Sequence, residues 1–128
     1  MNAAVKAQQR YRDEAILSAT PERLLTMLYD RLLLDIERGE AAQRAAEWES
    51  ANTHLQHAQA IIAELSSSLT SVWDGSAELR ALYDFLTRTL IGANIARDAD
   101  RTRSCRTLVV PLHEAWHQAA TSLAQAAS

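Results

Sequence analysis

Apolar side chains recur along most of this chain at alternating spacings of three and four residues, the period of one face of an α-helix. Four such stripes can be drawn. The first is Leu25, Leu28, Leu32 and Ile36, continuing through small residues near Gly39 and Ala42, and it predicts a helix ending at about Ala46. The second is Ala51, Leu55, Ala58, Ile62, Leu65 and Leu69, spaced 4, 3, 4, 3 and 4 residues apart. The third is Leu79, Leu82, Leu86, Leu90 and Ala93. The fourth, Cys105, Val109, Leu112, Trp116, Ala119 and Leu123, repeats the spacing of the second.

The residues between the stripes are those that start and stop helices. In Ser18-Ala19-Thr20-Pro21-Glu22, Thr20 is placed to cap free backbone N–H groups. Pro21 suits the first helical position and Glu22 complements the positive end of the dipole. Glu47-Trp48-Glu49-Ser50 reads as a break with Ser50 as a cap. Thr70 to Ser76 reads as a loop with Asp74-Gly75 as its turn and Ser76 as the next cap. Asp98-Ala99-Asp100 closes the third helix and opens the fourth. Pro111 lies inside the fourth stripe, where it removes a backbone hydrogen bond at a cost of about 3 kcal/mol unless the helix kinks; a kink is expected near Val110. The tail beyond Leu123 is expected to fray. Residues 1–17 carry no comparable stripe and read as a mobile arm or short helix, with Tyr11, Ile16 and Leu17 as its large apolar groups. Four amphipathic segments with short joins predict an all-α fold, an antiparallel up-down-up-down four-helix bundle over residues 18–128.

Composition narrows the function. The chain has 128 residues, enough for one domain with one core, and its three glycines and two prolines leave little punctuation for a many-stranded fold. A net charge of −3 with acids and arginines interleaved argues against nucleic acid as a partner. Cys105 is the sole cysteine, so no internal disulfide forms, and a buried reduced thiol is expected. The first residues lack the apolar core of a signal peptide, and no apolar run approaches the ~18 residues of a membrane span. These features point to the cytosol, without membrane insertion.

One string suggests chemistry. His113-Glu114-Ala115-Trp116-His117 matches H-E-x-x-H, in which two histidines one turn apart grip zinc and the glutamate activates water. Such a site needs a third protein ligand, and no His, Asp or Glu follows His117. Trp116 also lies on the apolar stripe, which puts the histidines at its edges. Di-iron bundles need a second Glu-x-x-His, and none occurs. His54 and His57 read as polar edge residues of the second helix. Tyr29 and Tyr83 each sit in a Leu-Tyr-Asp triplet and read either as rim packing with satisfied hydroxyls or as the lining of a groove for a partner helix. Asn52, Gln59 and Asn94 are positioned to satisfy one another or to meet another chain.

Taken together, several strings resemble one family. Ser18-Ala19-Thr20-Pro21, then Leu24 and Met27-Leu28-Tyr29-Asp30, with Tyr11 upstream, resembles the opening of the flagellar export chaperones, the FliS family. Asn52-x-x-Leu55-x-x-Ala58-Gln59-x-Ile61-Ile62-x-Glu64-Leu65 is similar to that family's second helix. Leu82-Tyr83-Asp84-Phe85-Leu86, with Leu90 and Ala93-Asn94, is similar to its third, and Glu114-Ala115-Trp116 to a motif of its last. The resemblance spans residue 11 to about residue 120, in order. It implies a cytosolic four-helix bundle that binds the disordered C-terminal segment of flagellin, blocks premature polymerisation and presents the subunit to the flagellar export gate. It implies no cofactor and no catalysis.

On this reading Tyr11, Ile16, Tyr29, Tyr83 and Asn94 are the expected partner-binding residues, with Tyr11 and Ile16 folding over an empty groove until flagellin displaces them. The free protein is expected to be a monomer or weak homodimer. Two alternatives belong to other classes: a metal-dependent hydrolase using His113, Glu114 and His117, and a self-associating structural bundle.

Overall fold

A computed structural model describes residues 3–4, 21–69 and 75–126. Four long helices account for nearly all of them: α1 (Pro21–Arg44), α2 (Trp48–Ser67), α3 (Ser76–Ala96) and α4 (Ala99–Ala126). The expected capping role of Thr20, the loop centred on Asp74, and the arm residues Tyr11 and Ile16 lie outside the described residues.

Paired contacts fix the topology. Asp35 on α1 meets His54 and His57 on α2, Asn52 on α2 meets Asn94 on α3, and Glu40 and Asp30 on α1 meet Arg106 and His113 on α4. In each α1–α4 contact an earlier residue of one helix faces a later residue of the other, so α1 and α4 are antiparallel. Each of α1 and α3 packs against both α2 and α4, the arrangement of an up-down-up-down bundle.

The core is where the stripes converge. Leu32, Ile36, Leu55, Ile62, Leu65, Leu86, Leu90 and Val109 are fully buried, with Cys105 among them. The second stripe is followed from Ala51 to Leu65. The fourth stripe is followed only in part: Leu112 and Trp116 are half-buried, while Leu123 is 55 % exposed. Counting back across the short α3–α4 join sets Ser76 opposite about residue 119, so the last turns of α4 reach past α3 and lose that neighbour. A buried polar knot ties three helices together near the joins. Thr102 Oγ1 donates to Gln43 Oε1 at 2.6 Å, and Gln43 Nε2 donates to the Ala93 carbonyl at 3.1 Å.

The helix ends differ from the sequence expectation in instructive ways. α1 stops at Arg44 because Ala46 turns left-handed (φ 57°), letting the Glu47 N–H donate to the Ala42 carbonyl and the Ala46 N–H to the Gln43 carbonyl. That is a Schellman ending. α2 therefore starts at Trp48, two residues ahead of the expected cap at Ser50. α3 ends the same way through Arg97 (φ 54°), with the Asp98 N–H on the Ala93 carbonyl. Asp98 then caps α4 through Oδ1, which accepts from the Asp100 and Arg101 N–H groups. Ser76 is not a cap but the buried first residue of α3, with Gly75 in the capping position. α4 continues through Pro111 as one helix rather than restarting; Pro111 faces solvent, where water can satisfy the carbonyl that loses its partner. The Arg97 guanidinium lies 4.8 Å from the Trp48 ring centroid, linking the two joins at one end of the bundle.

Candidate functional site

Two grooves open along the seam between α2 and α3. At one end a groove of about 560 Å³ is lined by Ile62, Ser66, Tyr83, Asp84, Thr87 and Arg88. At the other a groove of about 300 Å³ is lined by Trp48, Asn52, Asn94, Ile95 and Arg97. Ile91 lies between them. It stands four residues after Thr87 and three before Asn94, so helical geometry sets it on the same side of α3. Ile91 is 41 % exposed and Ile95 80 % exposed. Tyr83 to Asn94 spans about 16 Å along the helix axis at 1.5 Å per residue.

The seam therefore combines exposed branched apolar side chains with a polar pair, since Asn94 Nδ2 donates to Asn52 Oδ1 at 2.7 Å. The opposite edge of α3 is also apolar. A Cβ on Gly92 would meet Arg101 of α4, so that edge faces α4. Phe85, two turns before Gly92, and Leu108, two turns after Arg101, are both exposed there.

The fold separates the residues that sequence put together. Tyr83 and Asn94 both line the α2–α3 seam. Tyr29 lies behind it: the Tyr29 and Tyr83 rings are buried and their hydroxyls share a hydrogen bond of 2.5 Å across the bundle. Burial disfavours the phenolate of both and so pushes both phenols up from their ordinary value. For Tyr29 this is partly offset by hydrogen bonds to Tyr83 and Trp116, while at Tyr83 the Tyr29 contact adds to it. The Trp116 ring is tilted at 6.3 Å from Tyr29. Tyr11 and Ile16 lie outside the described residues. Ile91 and Ile95 are functional candidates that the stripes pass over. Their signal was present as two isoleucines four residues apart, off the core face of α3.

A second constellation corrects the sequence argument about the histidine pair. The chain downstream of His117 holds no third ligand, but α1 supplies one from far upstream. His113 Nε2 and His117 Nε2 each lie 2.6 Å from Asp30 Oδ1. All three groups are at least partly exposed. Partial burial pushes the Asp30 carboxyl up, and the hydrogen bonds from His117 and His113 more than reverse this, holding it below its usual range. Glu114, the would-be base of the motif, faces solvent. His54 and His57 are not idle edge residues either. Both direct Nδ1 at the fully buried Asp35, which Arg31 also pairs at 3.2 Å.

Among the described residues no helix is long and apolar enough to cross a membrane. Comparison with known proteins gives one consistent result. The family model described as flagellar protein FliS matches residues 3–123. The chain is 34 % identical to the flagellar secretion chaperone FliS of Bacillus subtilis, over 88 % of this chain and 84 % of that one. It is 27 % identical to that of Salmonella typhimurium, covering 83 % and 81 % of the two chains, and 26 % identical to that of Escherichia coli, covering 93 % of each. A crystal structure of a bacterial flagellar chaperone superposes with a TM-score of 0.72 at 18 % identity, covering 93 % of this chain and 98 % of the other. At that identity the superposition speaks to the fold alone.

Proposed function

This chain belongs to the FliS family, and on that premise we propose that it is a cytosolic, non-catalytic chaperone of flagellar export. It binds the disordered C-terminal segment of flagellin, keeps it from polymerising and delivers it to the export gate. The observation that carries this reading is the family match along nearly the whole chain. The surface of α3 supports it. Ile91 and Ile95 offer an ordering helix the apolar anchors it needs, and Asn52 and Asn94 offer polar register beside them. A segment that orders as it binds loses part of its interaction energy to that ordering, which leaves a complex specific enough to protect and weak enough to release.

We place the flagellin segment along the α2–α3 seam, with Tyr83 as its floor and Asn94 at its far end. Tyr29 acts from behind by holding Tyr83 in place. Tyr11 and Ile16 cover the same seam in the free protein. Calorimetric titration of the full chain with a flagellin C-terminal peptide tests both levels of the proposal. Saturable one-to-one binding is expected. The I91D/I95D double variant should weaken it by about a hundredfold or more, since burying one isoleucine stabilises by ~1.5–3 kcal/mol. Removing residues 1–17 should change the affinity without unfolding the bundle. Absence of binding by the parent chain refutes the chaperone assignment. Undiminished binding by I91D/I95D refutes the seam, and the F85D/L108D variant then tests the α3–α4 edge.

A further inference from the structure

We propose that Asp30, His113 and His117 form a binding site for a divalent transition-metal ion of the zinc class. The inference stands apart from flagellin binding and needs no partner to test. Its basis is convergence. The histidines sit four residues apart on one face of α4, with ring centroids 4.5 Å apart, and both direct Nε2 at the same oxygen, Asp30 Oδ1, at 2.6 Å. The three ligand atoms lie within 4.8 Å of one another. Two imidazoles and a carboxylate are a donor set that first-row divalent ions favour over magnesium or calcium.

The local chemistry suits an ion. Without one, each Nε2 must carry a proton to donate to the shared oxygen. An ion replaces both protons at Nε2 and pairs with the carboxylate directly. Zinc bonds of about 2.0–2.2 Å put tetrahedral ligands ~3.3–3.5 Å apart, so the three side chains need open by less than about 1 Å. They are free to do so, being 53 % (Asp30), 25 % (His113) and 42 % (His117) exposed. The same exposure gives the ion an entry path and leaves its fourth position to water, the open pattern of exchangeable sites rather than the closed pattern of structural ones. Ionised Asp30 supplies the negative charge.

The other Asp–His–His group shows what such a site lacks. His54 and His57 contact different oxygens of Asp35, through Nδ1, and the Arg31 guanidinium already occupies that carboxylate. A second cation is repelled there. An ion at Asp30 instead clips α1 to α4 where the two helices are joined by side chains alone. His117 also lines the groove formed with Glu22, Arg23 and Thr26, so the cluster lies at the edge of a cleft.

The experiment is titration of the chelator-treated full chain with zinc chloride, read by calorimetry and by the thermal midpoint, with cobalt(II) absorption reporting ligand geometry. One saturable ion per chain is expected, with a midpoint that rises with zinc. D30N and H117A should each weaken binding by more than about tenfold, and H54A/H57A should leave it unchanged. The H113Q/H117Q variant keeps hydrogen-bond donors to Asp30 and so separates metal loss from unfolding; it should fold, bind no zinc and show no zinc-dependent rise. Failure of the parent chain to saturate, or retention of the ion by H113Q/H117Q, overturns the site.

Discussion

The hydroxyls of Tyr29 on α1 and Tyr83 on α3 meet inside the bundle. Tyr29 and Tyr83 are buried, and each oxygen's principal partner is the other. Removing one hydroxyl costs the other its principal partner, and a polar atom stranded in the core costs about 1–3 kcal/mol, whereas removing both leaves no tyrosine oxygen unpaired. The two single changes are not equivalent, because Tyr29 has a second partner in Trp116. Y29F should destabilise by about 1–3 kcal/mol, Y83F by less, and Y29F/Y83F by less than Y29F alone. Urea midpoints of the three variants measure this; strict additivity would show that the hydroxyls do not depend on each other. The pair also marks the limit of reading residues singly. Both tyrosines stand out in sequence by their matching triplets, yet nothing in one dimension says that α1 and α3, diagonal in the bundle, bring them to 2.5 Å. The same holds for Asp30, whose partners lie 83 and 87 residues away. A search for a third ligand near the H-E-x-x-H string cannot find it.

Whole helices were more legible than their contacts. The alternation of threes and fours located all four, because burying one face of an amphipathic helix leaves a regular trace in the chain. Their ends were harder. Ala46 and Arg97 are left-handed without being glycine, so the backbone ends α1 and α3 where the residue types give no warning. The glycines that are present do something else. Gly39 lies inside α1 at its crossing with α2, where an added Cβ would come within 2.6 Å of Leu55 Cδ2 and 2.9 Å of Leu55 Cγ. Leu55 is fully buried and has nowhere to retreat. G39A should gain up to about 1 kcal/mol of helix propensity and lose more through overpacking, for a net destabilisation of about 1–2 kcal/mol. Gly92 offers the contrast. An added Cβ there meets only the Arg101 guanidinium, the far end of an exposed, flexible side chain, at 3.2 Å. G92A should be neutral to stabilising by about 1 kcal/mol. Thermal midpoints of the two variants moving in opposite directions would confirm that α1 and α2 meet backbone to side chain, whereas α3 and α4 do not. The looser α3–α4 contact is consistent with α3 carrying the exposed apolar residues on both its edges.

At the scale of the whole molecule, Cys105 reports whether the four helices act as one cooperative unit. It sits on α4, fully buried, in the cluster to which every helix contributes. Burial pushes its thiol up from 9.0 to about 11, because the apolar core disfavours the thiolate. The folded chain therefore holds the thiol proton more tightly than the unfolded chain. Stability from this group is complete below pH 9, where both states are protonated. It falls as pH rises from 9 to 11, where only the unfolded state has ionised, by about 2–3 kcal/mol over the interval. Tyr29 and Tyr83, both raised, add a decline of the same sign that begins near pH 10.0, the ordinary phenol value. The Cys105 share is isolated by comparing the parent chain with C105A, whose stability should be lower near neutral pH through the lost packing but should decline less between pH 9 and 11. Reactivity follows from the same geometry. Only the thiolate attacks an alkylating or disulfide reagent, and here both access and ionisation are withheld. Labelling of Cys105 near pH 8 should proceed at the rate of global opening and quicken in step with urea. It should slow further with any ligand that binds only the folded state, the proposed flagellin peptide included, because such a ligand depletes the open one. Labelling at the rate of a free thiol in native buffer would mean that α4 opens independently. The bundle would then be two units, with α4, the helix that overhangs its neighbour, as the detachable part.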